Sequence, residues 1–528
     1  MSKLARVIGW YALFACSARA APTPDIPTVG NNGCRKTQVA VLGAGVAGIT
    51  AAQVLSNASI TDFVIVEFND QIGGRVRNHP FGKTPSGNGT YFVELGANWV
   101  QGTNSSTEEN PIWTLAKKNQ LINTYSDFSS RKVYNETGEV NIGDLEKEFY
   151  HAFESYEEDG RYGLLQNLQD RSARTGFSIA KWKPGKDPLA QVIEWAAMDF
   201  EYANPPEKTS HRYSVVSYDS TFHRWADENN FVHDPRGFST FVKNEAATYL
   251  KENDPRLLLN TVVENITYSS EGVEIHNNDG SCISAEYAVC TFSLGVLQQE
   301  VVKFSPELPE WKRTAIHSMT MGTYTKIFLQ FRPEDVFWDK NTQFFLYADP
   351  IQRGYFPLFQ SLDHPDFEPG SGILFVTVVD QLSFAVEAQD FDTTKKQVMA
   401  VLRRMFGNGI ADPIDFYYPQ WSLKPWAFGS FSNWPPSLSL ETHQNLRANL
   451  GNVWFAGEAT HPQYFGFLQG AWFEGRNAGE SIAACIKDKA SCYKEKSYEV
   501  LNGTTPSMQY SKENGWTANS FYKTKKEE

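Results

Sequence analysis

Apolar and polar positions change period several times along this chain, and each change marks an element. Gln38-Val39-Ala40-Val41-Leu42 is a short apolar run that suits a buried parallel strand. It passes directly into Gly43-Ala44-Gly45-Val46-Ala47-Gly48, after which Ala47, Ala51, Ala52 and Leu55 recur at near-helical spacing. Asp62-Phe63-Val64-Ile65-Val66-Glu67 is a second strand, ending in a carboxylate. Residues from about 105 to 235 carry amphipathic helical spacing, many charges and aromatics, and one of their helices stops at Pro205-Pro206. Further on, Gly237-Phe238 precedes a helix, Leu257-Leu258-Leu259-Asn260 with Val262-Val263 reads as a strand, and 273–276 and 284–289 give two more. From 321 to 331 strict alternation puts Ile327, Leu329 and Phe331 on one face and Tyr324, Lys326, Phe328 and Gln330 on the other. Residues 452–455 form another strand, and Gly466 opens a closing helix.

The first of these patterns has a chemical reading. Strand, G-x-G-x-x-G, helix, strand and acid is the order of a dinucleotide-binding unit. Gly43 allows the tight turn, Gly45 lets backbone approach a pyrophosphate, and Gly48 packs the helix on the sheet. The helix N-terminus offers unpaired N–H groups to the phosphates, and Glu67 can accept hydrogen bonds from ribose hydroxyls. The flavin FAD, rather than NAD, follows from Gln71-Ile72-Gly73-Gly74-Arg75-Val76, which resembles the GG-doublet of flavin-dependent amine oxidases and their relatives.

Composition narrows the setting. With 528 residues, 41% of them hydrophobic, the chain can bury two cores or one large two-lobed domain. A net charge of −13 argues against nucleic acid or anionic membrane partners, and it can draw in a cationic substrate or serve only solubility. Residues 1–20 read as a secretory signal: Lys3 and Arg6, an apolar stretch from Val7 to Cys16, then Ala18-Arg19-Ala20. No apolar run is long enough to span a bilayer, so a secreted location is expected. Sequons at Asn57, Asn88, Asn104, Asn135, Asn265 and Asn502 support it. Removing the signal leaves Cys34, Cys282, Cys290, Cys485 and Cys492, an odd number, so at least one thiol is free or intermolecular. Cys485 and Cys492 can close a small loop, whereas Cys290 sits in an apolar run and reads as a buried thiol. There is no C-x-x-C or His/Cys ligand spacing, so no metal is expected. Residues 491–528 are polar and read as a loosely attached tail.

Phe92-Val93-Glu94-Leu95-Gly96-Ala97-Asn98-Trp99-Val100-Gln101-Gly102 makes a wider resemblance specific. The chain resembles the polyamine oxidases of the flavin amine oxidase family, through at least six dispersed motifs between about residues 37 and 490. The resemblance places Gly96, Ala97 and Asn98 in a turn over the flavin, with Trp99 lining a substrate tunnel; Gln101 stands where plant relatives carry a carboxylate. Asp199-Phe200-Glu201-Tyr202-Ala203-Asn204-Pro205-Pro206 is similar to a segment whose glutamate meets a distal ammonium, here Glu201. Without the resemblance, a solvated helix-end glutamate is the plainer reading. The strand with Tyr324 and Lys326 resembles the family's Y-x-K-I-F, whose lysine holds a water near flavin N5. From spacing alone an edge-strand gatekeeper lysine reads equally well. Val263 corresponds to an adenine contact. The segment from Trp421 to Pro435 contains Phe431-Ser432-Asn433-Trp434-Pro435 but no cysteine, so the FAD is expected to be noncovalent. Ala456-Gly457-Glu458 supplies the acid for the ribityl chain, and Gly466-Phe467 opens a helix facing the isoalloxazine. Phe431 and Phe467 would be the aromatic walls, Phe467 replacing the usual tyrosine.

The implied fold class is α/β, a two-lobed flavin amine oxidase fold. A Rossmann-type FAD domain comes from 35–104, 236–309 and 426–490, and an α+β substrate domain from 105–235 and 310–425. The implied reaction passes hydride from a neutral amine to flavin N5, hydrolyses the imine to aldehyde and amine, and reduces O2 to hydrogen peroxide. A monomer is expected. An oxidase of another amine (a monoamine, L-amino acid or alkaloid), a GG-doublet desaturase or isomerase, and a noncatalytic flavoprotein are the rival readings. A nuclear histone demethylase conflicts with the secretory signal.

Overall fold

The computed structural model describes residues 33–105, 107–166, 168–226, 228–489 and 492. The leader, the Asn502 sequon and, Cys492 apart, the expected tail lie outside the described residues. The N-terminal pattern folds as strand β1 (Arg35–Leu42), a glycine turn, helix α1 (Val46–Asn57) and strand β2 (Phe63–Val66). β1 and β2 are parallel neighbours with Val41 opposite Ile65. Val39, Val41, Phe63 and Ile65 pack into one core and Ala40, Leu42, Val64 and Val66 into another. Both faces of the sheet are therefore covered, which is why these strands read as continuous apolar runs.

Eight strands complete this sheet. Their order is Leu257–Leu258, β2, β1, Cys282–Cys290, Gly272–Asn277, Val263–Ser269, Lys303–Ser305, with Val453–Phe455 also paired to Cys282–Cys290. Three distant stretches of chain thus meet in one layer. α1 is held down by the last helix, Leu468–Lys487, at backbone contact: a Cβ on Gly475 would stand 2.2 Å from the Ala47 carbonyl oxygen. Disulfides join Cys34 to Cys282, at the start of β1 and of its neighbour, and Cys485 to Cys492 after the last helix. Cys290 is a free, buried thiol whose pKa burial pushes up to about 12.

The apolar run from 257 to 263 is not one strand. Leu257–Leu258 pairs with β2, the chain turns at Asn260 (φ +52°), and Val263–Ser269 begins elsewhere in the same sheet. Asparagine tolerates that left-handed conformation better than most residues, and the run's periodicity gave no sign of the break.

A second sheet has seven strands in the order Asp415–Tyr417, Tyr324–Gln330, Ile373–Val379, Leu358–Ser361, Phe344–Tyr347, Arg131–Asn135, Gly138–Val140. Ile327 and Leu329 pack on one face with Val398, Val401 and Leu402 of the helix Phe391–Phe406. On the other face Tyr324, Phe344 and Leu358 share a core with Phe149 and Ile193 of the helices Gly143–Leu165 and Pro188–Ala197. The alternation at 324–330 is thus a strand covered on both sides, and each of its residues is buried. Paired with Ile373–Val379 along its whole length and with Asp415–Tyr417 at one end, it leaves no solvated edge for Lys326. The gatekeeper reading does not hold.

Residues 105–235, read as helical, also hold strands. Two enter the second sheet, and Asn123–Tyr125 and Asn229–Val232 form a small sheet with Trp99–Gln101. No helix among the described residues is long and apolar enough to cross a membrane.

Candidate active site

A cavity of about 420 Å³ runs from the glycine turn after β1 to the face of the second sheet. Its first end is built mostly of backbone. Gly43 takes φ +106° and turns the chain, and a Cβ on Gly48 would stand 2.0 Å from the Gly43 carbonyl oxygen. A Cβ on Gly45 would meet nothing within 4 Å, because it would project into the cavity. Neither α1 nor Leu468–Lys487 has a side-chain cap at its N-terminus, and first-turn residues of both line the cavity. Two sets of orphan N–H groups and two positive dipole ends therefore point at one space, as a diphosphate requires. Glu67 is held in place by the Ala44 N–H (2.7 Å) and by Asn69, and Val263 lines the same end.

At mid-cavity Glu458 gathers several donors. Arg75 Nη1 donates to Oε1 at 2.9 Å and the Gly466 N–H to Oε2 at 2.8 Å, while the Ser432 N–H and hydroxyl also donate to Oε2. Arg75 also donates to the Ser430 carbonyl. Gly74 and Gly96 lie alongside, and a Cβ on Gly96 would stand 1.8 Å from the Arg75 carbonyl oxygen. Trp421 Nε1 donates to the Leu95 carbonyl at 3.3 Å. These residues suit a long anionic cofactor with a ring system at its far end.

The far end is aromatic and sparsely charged. Trp99, Tyr324, Phe431 and Phe467 line it. Tyr324 and Phe431 have ring centroids 5.7 Å apart, and Trp99 meets Phe200 edge-on at 6.0 Å. Lys326 Nζ lies 5.0 Å from the centre of the Trp99 ring and donates to the carbonyls of Gly96 (2.6 Å) and Glu94 (3.3 Å) and to Asn98 Oδ1. The lysine thus ties the second sheet to the 94–99 turn. Burial lowers its pKa to about 7, opposed by the charge of Glu94. Burial raises the Glu201 carboxyl to about 7, and the surface Glu201 keeps lies on the cavity wall. Gln101 Nε2 donates to Glu201 Oε1 at 3.4 Å.

Every residue expected to meet cofactor or substrate lines this cavity except Gly48, which packs beneath the turn. Phe128, Phe200 and Asn229 line it too and were not expected. Phe200 adjoins Glu201 in sequence and could have been flagged; Asn229 is placed by its pairing with Gln101 and Phe128, in a turn, by its stacking on Phe344, and the sequence shows neither. Glu157, Asp219 and His223 cluster elsewhere, but the Arg161 guanidinium donates to both Asp219 oxygens at 2.6 Å and pairs with Glu157.

A cradle for an anionic dinucleotide that opens on an aromatic, amine-sized chamber defines a class. The chain belongs to the flavin-containing amine oxidoreductases, whose family model matches residues 46–483. It is an FAD-dependent amine oxidase. Polyamine oxidase 1 of Zea mays is 37% identical over 477 residues, covering 86% of this chain and 92% of that protein. Polyamine oxidase 7 of Oryza sativa subsp. japonica is 36% identical over 460 residues, covering 84% and 94%. The fold is shared with a wild-type putrescine oxidase bound to putrescine, at TM-score 0.66 and 15% identity, covering 85% of this chain and 99% of that one.

Two outcomes follow from this geometry. Gly45→Val should leave folding intact but abolish flavin loading, because a Cβ there meets no protein atom within 4 Å and the side chain enters the cavity. Flavin absorbance per protein, read beside the far-UV circular dichroism, checks this; a fully yellow variant would contradict the cradle. Lys326→Met should keep its flavin but reduce it with amine roughly 10²–10³-fold more slowly, the scale of losing one preorganised polar group. An unchanged rate in stopped flow would leave Lys326 only a structural tie.

Proposed function

We propose that this protein oxidises polyamines (spermine, spermidine or their N-acetyl derivatives) with noncovalent FAD, releasing an aldehyde, an amine and hydrogen peroxide. One observation carries the reading: a single cavity joins the phosphate cradle at Gly45 to a half-buried carboxylate, Glu201, with Lys326, Phe431 and Phe467 between them. The relatives named polyamine oxidase support the substrate class. The absence of cysteine among the described lining residues supports noncovalent binding.

When bound, FAD supplies the hydride acceptor and the reaction with O2. The protein's share is placement. Phe431 and Phe467 hold the reacting carbon's flanks. Lys326 holds a water through its ammonium or amine, and its 3.3 Å bond to the Glu94 carbonyl is the longest of the three and the most readily exchanged. Glu201 pairs with a second, still protonated nitrogen and so sets which bond along the chain reaches the reacting position. We further propose passage through a secretory pathway, on the leader pattern and on sequons of which Asn57, Asn88, Asn104 and Asn265 are exposed and Asn135 half-buried.

The direct test is a panel of amines assayed for peroxide, with the aldehyde identified by mass and the flavin released by acid precipitation. Flavin retained in the pellet, or no peroxide from any amine, would defeat the proposal. The pH profile gives a sharper test. Glu201 is charged above about pH 7 and neutral below it, and an ammonium favours the charged form. The kcat/KM for a diamine should therefore rise through neutral pH, and fall once the distal nitrogen deprotonates near pH 10. Glu201→Gln should cost roughly tenfold to a hundredfold at pH 8 and almost nothing below pH 6, where the wild-type carboxyl is already neutral. A penalty independent of pH would remove Glu201 from substrate binding.

A further inference from the structure

A second cavity, of about 300 Å³, lies beyond Glu201. Phe128, Phe200, Glu201 and Asn229 line both cavities, so a chain that runs past Glu201 enters the second. Its walls come from the helices Gly143–Leu165 and Pro188–Ala197, from the π-helical turn Asp219–His223, and from strands of the second sheet. Phe153, Phe222 and Phe344 provide rings, and Ile142, Ile193 and Leu358 aliphatic surface.

The charges in this space decide what can fill it. Apart from Glu201 at the threshold, the charged lining residues are Arg131 and Glu146, which are hydrogen-bonded to each other. A second ammonium beyond Glu201 would meet a guanidinium and find no unpaired carboxylate among the described lining residues. Aromatic faces can attract a cation, but Phe128 and Phe344 stack on each other at 4.6 Å and 13°. An uncharged apolar group gains by leaving water for such walls. At the threshold Asn229, half-buried, lines both cavities and brings no charge. At the outer end Tyr125 and Tyr150 are 51% and 47% exposed, so the space opens toward solvent and does not limit length sharply.

We propose that the second cavity binds the uncharged far end of an acylated amine, in which acylation has removed the distal charge, with an aryl or branched acyl group lying among Phe153, Phe344 and Leu358. This inference rests on the amine oxidase reading and names the substrate class within it: amide-capped amines with a bulky apolar cap, in preference to long polycationic ones.

The test is a series on one diamine backbone, uncapped, N-acetylated and N-benzoylated, with kcat/KM measured for the flavin-loaded wild-type protein. The benzoylated amine should exceed the acetylated one by roughly tenfold to a hundredfold, the scale of burying a ring. Equal or lower values would overturn the inference, and this comparison needs no variant. Ala197→Phe, which narrows the cavity from the helix side, should cut the benzoylated amine at least tenfold more than the acetylated one. A parallel loss for both would mean that the space is only a passage, and would overturn it too. If no amine in the series is oxidised, the functional proposal itself fails and this inference with it. If the uncapped and acetylated amines are oxidised without a benzoyl preference, only this inference fails.

Discussion

The site depends on one buried carboxylate. Glu458 is 6% exposed and accepts from Arg75, Ser432 and Gly466, which lie after the GG-doublet, in the strand Phe431–Asn433 and at the start of the closing helix. A buried charge is tolerated only when paired and hydrogen-bonded. Each donor must therefore be in place together, and the chain segments that carry them are locked in mutual register. Removing the carboxylate would leave Arg75 with only the Ser430 carbonyl of its two bonds here and release Gly466, whose φ of +81° a side chain would not readily adopt. Phe431 and Phe467 stand in or beside these same two segments, so the aromatic end of the cavity inherits its geometry from an ion pair in the middle of it.

The cofactor end was legible in the sequence because it is made by backbone. A glycine that must turn, one that must leave space and one that must allow contact each have a single-residue signature, and they fall in order within one stretch. Its strands were legible as unbroken apolar runs because both faces are covered. The failure at 257–263 has the same source. Where the flanking positions are all apolar, periodicity carries little information about where a strand stops, and Asn260-Thr261 alone mark the turn.

The substrate end is made by side chains from distant strands, and it was legible only through family resemblance. Lys326 shows the difference. Its alternation was readable, but that it is buried depends on pairing with Ile373–Val379 and on packing against the 94–99 turn, neither of which has a local signal. The strands Arg131–Asn135 and Asn229–Val232 lie among helices, and strong helical patterning around them masked short extended segments. Phe128, Asn229 and the second cavity went unseen for that reason. The disulfide Cys34–Cys282 was hidden because three other cysteines, Cys290, Cys485 and Cys492, offered it alternatives.

The distribution of charge then limits what the cavity can take. At the first end, two uncapped helix N-termini favour an anion. At the other, Glu201 is an acid raised by burial, and the neighbour able to compensate it is Gln101, which donates a hydrogen bond but brings no charge. A carboxylate so placed is poorly satisfied until a cation arrives, and the gain on pairing is correspondingly larger than at a solvated site. A second carboxylate at position 101 would raise Glu201 further and call for a second positive charge to settle both. Under the proposed function, glutamine there suits a substrate with one cation to spare, and beyond the threshold Glu146 is already paired with Arg131, which leaves no free carboxylate among the described lining residues for another. On the proposed function, specificity would come as much from where negative charge is withheld as from where it is placed.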